Sequence, residues 1–168
     1  NTYSWSGATK IQEVKVERKA SGVILLKIDG KLNFFDPRTF AMTEVPNQSF
    51  EPTIQSNKAG SDLVNGDTWK ISIARPHTAA CGGVLTNELQ TAVMGDTNIS
   101  VTGKGELKGI SISQEGTYSS CTGSGEYIRV FHYSPELQVP TMIQSVTYYQ
   151  GKIWSGYRMV LKEIRRGS

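Results

Sequence analysis

The sequence predicts a mainly β protein: an antiparallel β-sandwich or partly open β-barrel with one short helix at about 84–94 and one disulfide. Three observations predict it. "VILLKIDGKLNFF" places Asp29-Gly30 between two apolar runs, and that dipeptide suits the two-residue hairpin turn that demands positive backbone angles. "TWKISIA", "NISVTG", "KGISIS" and "EYIRVFHY" carry apolar residues at alternate positions and are bounded by Gly, Asn, Asp or Ser. Only the stretch from Val84 to Met94 spaces its apolar residues as a helix does.

Taken in order, Ile11, Val14 and Val16 alternate with one irregular step, which reads as a strand with a bulge. Val23 to Ile28 and Lys31 to Phe35 form the hairpin around Asp29-Gly30. From 36 to 67 the pattern lapses. Pro37, Pro46 and Pro52 with "PNQS" and "QSNKAGSD" make a long polar excursion that admits only short strands. Between 84 and 94, Val84, Leu85, Leu89, Ala92 and Val93 share a helical face, and Gly95 stands where a helix stops. "GKGELKG", followed by the strand "ISIS", is a hairpin turn rather than a dinucleotide fingerprint, which needs a helix there. His132 alternates with Ile128 and Val130 and reads as a packed strand histidine.

Composition narrows the class. At 168 residues, 38% hydrophobic and 20% charged, the chain suits one globular domain, drawn here as 1–166, with Gly167-Ser168 as a tag remnant. No apolar run approaches a helical membrane span. The start at "NTYSWSG" reads as that of a processed secreted chain. The net charge of +3 is divided between an acidic 36–67 and a basic end whose Lys152, Arg158, Lys162, Arg165 and Arg166 are spread out. That is not a nucleic-acid groove. Cys81 and Cys121 lack the short ligand spacing of a metal site and are expected to form a disulfide, stabilising by about 4 kcal/mol.

Catalytic parts are thin. "TAAC" and "CGGVLT" are similar to fragments of chymotrypsin-like serine proteases, but His77 precedes both fragments and the Gly-Asp-Ser-Gly-Gly nucleophile segment is missing. Asp62 and Asp67 read as solvated turn residues rather than a carboxylate pair. No enzyme, metal or cofactor is expected.

The carboxy-terminal "SVTYYQGKIWSGYRMVL" offers the best candidate site. A turn at Gln150-Gly151 would pair Tyr149 with Lys152, Tyr148 with Ile153 and Thr147 with Trp154. Alternation then sends Val146, Tyr148, Ile153, Tyr157, Met159 and Leu161 to the core. Thr147, Tyr149, Lys152, Trp154 and Arg158 point outward, as an aromatic platform for a sugar ring flanked by cationic donors. The expected function is an extracellular binding module, a bacterial surface adhesin or pilus-associated domain recognising a host glycan or glycoprotein. The competing readings are a structural subunit of a pilus or phage surface and an oligosaccharide-binding, toxin-like B subunit.

Overall fold

The computed structural model describes residues 2–5, 11–13, 15–18, 24–28, 31–45, 49–50, 62–76, 84–120 and 123–163. Thirteen strands run through them: β1 (Thr2–Trp5), β2 (Ile11–Glu13), β3 (Lys15–Arg18), β4 (Ile24–Ile28), β5 (Lys31–Phe35), β6 (Met42–Val45), β7 (Ser49–Phe50), β8 (Thr68–Pro76), β9 (Val84–Val101), β10 (Gly105–Ser120), β11 (Gly123–Ser134), β12 (Val139–Tyr149) and β13 (Lys152–Glu163). All pairings are antiparallel. Nine strands form one sheet in the order β2-β1-β13-β12-β11-β10-β9-β8-β7, and four form a second, β3-β4-β5-β6. The large sheet ends at β2 and β7 and does not close into a barrel. Ile28 pairs with Lys31 across Asp29-Gly30, and Val101 with Gly105, as the two hairpin signals require.

The expected helix is not formed: 84–94 is the first part of β9, paired on one side to β8 and on the other to β10. Its buried positions are Leu89, Thr91 and Val93, separated by exposed Gln90 and half-buried Ala92. Thr91 is the reason the period misleads. It is a polar residue on the buried face, so counting apolar residues alone favours the helical spacing, whereas ladder bonds on both edges favour the strand. Gly95, read as a helix stop, sits instead in a β-bulge: Ser111 pairs with Gly95, Ile112 with Val93, and Gly95 takes a φ of 139°.

The two sheets share one hydrophobic cluster, in which Ile24, Leu26, Phe35 and Met42 of the small sheet meet Trp69, Ile71, Ile112 and Phe131 of the large one. The start of the supposed polar excursion supplies the centre of this core. Between β5 and β6 the chain turns inward and places Phe40, Ala41 and Thr39 at zero exposure. Phe40 holds a φ of 60° and sets its ring edge-on to Tyr133 at 5.0 Å, with Phe35, Trp69 and Phe131 around it. The inward backbone is satisfied by side chains: Trp69 Nε1 donates to the Thr39 carbonyl at 3.0 Å and Gln114 Nε2 to the Phe40 carbonyl at 2.9 Å. Buried Asp36 takes both arms of the Arg38 fork at 3.1 Å, and that hydrogen bonding raises the Arg38 pKa. A hydrophobic pattern cannot announce such a plug, because its six residues carry one large apolar side chain.

Cys81, Cys121 and His77 lie outside the described residues, and with them the expected disulfide.

Candidate functional site

Antiparallel partners point to the same face, so the register lays out the inner face of the large sheet row by row. One row runs Trp69, Thr91, Gln114, Arg129, Ser145, Tyr157 across β8 to β13. Between its two aromatic ends every residue is polar and buried. The next row outward runs Ile71, Leu89, Gly116, Tyr127, Thr147, Ser155, and beyond it come Ile73 with Asn87, then Tyr118, Gly125 and Tyr149. The small sheet covers the first row through Phe40 and Met42. Past Met42, among the described residues, a groove of about 290 Å³ opens over the long strands between Met42 and Trp154.

Glycine keeps the groove floor low. A Cβ on Gly116 would run into the Glu88 carbonyl oxygen and one on Gly125 into the Tyr148 carbonyl, so strand and ring can lie close there. The Tyr118 ring crosses Gly125 and donates its hydroxyl to the Tyr148 carbonyl at 3.1 Å.

Arg129 closes the deep end. It is 8% exposed and its guanidinium stands over the rings of Tyr127 and Phe131, at 4.8 and 5.6 Å. Nη1 donates to the Met42 carbonyl at 3.4 Å, and Nε is buried with no hydrogen-bond partner. No ion pair offsets the charge among the described residues, and burial pushes the Arg129 pKa down. Two further buried polar atoms of the same groove are unpartnered, the Tyr127 hydroxyl and Asn87 Oδ1. Native structures rarely leave such groups unmet, and ordered water or a polar guest would satisfy the three in this cavity; Thr91 Oγ1 and Gln114 Oε1, in the covered row, are unpartnered too.

The five residues expected to bind ligand divide. Thr147 and Trp154 line the groove, and Tyr149 meets the Trp154 ring at 6.0 Å in an edge-on contact. Lys152 is exposed beside the hairpin tip, paired with Tyr149. Arg158 lies on the opposite face, in a shallow depression with Gln144, Val146 and Ile153. The cause is one bulge. Tyr149 pairs with Lys152 and Tyr148 with Ile153 as expected, but Thr147 pairs with Ser155, leaving Trp154 as the extra residue. The slip reverses the faces of β12 relative to β13. Met159 and Leu161 are buried as expected and Tyr157 packs against the core, whereas Ile153, expected inside, is 69% exposed. Trp154 is 73% exposed, yet on the groove side and not the outer one.

Arg129, Tyr127, Tyr118 and Asn87 were not anticipated from the sequence. The signal for the first two was present in "EYIRVFHY": taking the odd positions gives Tyr127, Arg129, Phe131 and Tyr133, an arginine inside an aromatic stripe. His132 is half-buried on the outer face, and its pKa is lowered by burial and then by Arg158.

Asp67 accepts from the Val64 amide at 2.9 Å in the 62–67 turn, the structural role expected of it. Among the described residues no three His, Cys, Asp or Glu side chains gather as metal ligands.

No family model matches the chain, and no curated protein matches it significantly. Among solved structures it is similar to the hypothetical lipoprotein YmcC from Escherichia coli (K12), with a TM-score of 0.55 and 11% identity, over 95% of this chain and 83% of that one. The likeness is one of fold.

Proposed function

We propose that the protein is a non-catalytic, extracellular binding module of a bacterial surface, of adhesin or pilus-associated type, which holds a host glycan or glycoprotein saccharide in the groove between Met42 and Trp154. The observation that carries the reading is the meeting of an exposed Trp154 ring with buried, unpartnered polar atoms of Tyr127 and Asn87 in one cavity. A sugar ring presents an apolar face of C–H groups and a rim of hydroxyls. Trp154 and the apolar walls Met42, Ile73 and Leu89 suit the first, and the Tyr127 hydroxyl and Asn87 carbonyl suit the second. The likeness to a bacterial lipoprotein supports a surface location.

The test is a glycan array with the intact protein, followed by calorimetry on Trp154→Ala and Tyr149→Ala. Wild type is expected to retain a subset of glycans and Trp154→Ala to lose them. Because Trp154 is largely exposed, its unfolding free energy should stay within about 1 kcal/mol of wild type. Unchanged glycan binding by both variants would remove the platform, and an array with no retained glycan would favour an assembly subunit that presents the edge strands β2 or β7 to a neighbour.

A further inference from the structure

The deep end of the groove asks for more than a neutral sugar. Arg129 lines the groove, its Nε is buried with no partner while Nη1 is committed to the Met42 carbonyl, and a guanidinium edge matches the two oxygens of a carboxylate. Asn87 Oδ1, which lines the same groove, is an acceptor and needs a donor from the guest, and the Tyr127 hydroxyl serves either role. A purely accepting anion, such as sulfate, meets Arg129 and leaves Asn87 unmet. A neutral sugar meets Asn87 and leaves the guanidinium without a counter-charge. A hydroxylated carboxylate meets both. Among the described residues no Asp or Glu lines the groove, which suits an anionic guest. The cavity, about 290 Å³, is near the lower end of small-ligand pockets.

We propose that the ligand is an acidic saccharide whose uronate carboxylate pairs with the Nε edge of Arg129 while its hydroxyls donate to Asn87 Oδ1 and meet the Tyr127 hydroxyl. This rests on the saccharide reading above and names its chemical class.

The test is calorimetric titration of the intact protein with disaccharides of galacturonate, glucuronate and mannuronate, each alongside its carboxyl-reduced neutral counterpart, with sulfate as an anion control. At least one uronate is expected to bind tenfold or more tightly than its reduced counterpart, with sulfate a poor competitor, and Arg129→Gln should abolish that difference. The wild-type Arg129 Nε–Hε resonance gives a readout that needs no variant: a uronate should move it downfield and the reduced sugar should not. If acid and reduced forms bind alike, the carboxylate inference is overturned and the saccharide groove stands. If neither form of any pair binds, both readings are lost. Sulfate competing as well as the uronate would overturn the inference in favour of a simple anion site.

Discussion

A guanidinium buried without a counter-charge, as Arg129 is among the described residues, loses its hydration and recovers part of it from one carbonyl and two ring faces. Leaving a buried polar group unmet costs about 1–3 kcal/mol, and a cation–π contact returns about 0.5–2 kcal/mol. Methionine has a similar length and no donor to satisfy. Arg129→Met should therefore keep the fold and raise the unfolding free energy, by on the order of 1 kcal/mol, in urea titrations. A clear loss of stability would mean that the arginine is held for packing, not for binding. His132 supplies a second expectation. Its folded pKa lies below the ordinary 6.5, through burial first and Arg158 second, so folding favours the neutral ring. The linked stability is full above the unfolded value and is lost as pH falls through the folded one. Urea titrations from pH 7 to 5 should show the unfolding free energy falling, and His132→Gln should remove that component. An NMR titration of the His132 ring with a midpoint above 6.5 would contradict the sign.

The elements depart from strict alternation at bulges, and those departures decide what faces the groove. At Gly95 the bulge in β9 needs a φ of 139°, with open space where a Cβ would stand. Gly95→Ala should thus lower stability through backbone strain alone, by about 1–2 kcal/mol in thermal or urea unfolding, with the sheet otherwise retained. No change at all would mean that the bulge relaxes easily. Period-2 alternation and turn dipeptides made β4, β5, β8, β10, β11 and the β12–β13 hairpin legible, because these features are local. The bulge at Trp154 was not legible: an extra residue is chosen by how β13 must meet both β12 and β1, and neither neighbour is visible in the local pattern. That single residue puts β12 and β13 out of phase: Arg158 stays opposite buried Met159 and Leu161, whereas Thr147, expected on the same face as Arg158, lies with Ser155 on the groove side. The strand at 84–94 stayed hidden for the same reason, since the pairing to β8 and β10 that puts polar Thr91 on the buried face is not visible in the local pattern. Trp154 was still a sound starting point, as a large aromatic next to a turn.

At the scale of the whole molecule, the 36–41 plug and the aromatic residues around it join the small sheet to the large one, within a core that also holds Ile24, Leu26 and Met42. Phe40 touches Phe35 of the small sheet and Trp69, Phe131 and Tyr133 of the large one, while Trp69 Nε1 and Gln114 Nε2 hold the backbone on either side. A core that includes residues of both sheets predicts that they unfold together. The fluorescence of Trp69, buried at the junction, read in a Trp5→Phe, Trp154→Phe background, and far-UV circular dichroism, which reports both sheets, should give coincident urea transitions. Phe40→Ala opens a cavity at the centre of this junction without removing either flanking hydrogen bond. It should lower the unfolding free energy by about 3–5 kcal/mol with the denaturant slope nearly unchanged, because the same surface is still exposed in one step. If the fluorescence transition instead moves to lower urea while the dichroism transition stays in place, the sheets are separable. The groove, whose wall at Met42 belongs to the small sheet, would then open before the large sheet unfolds.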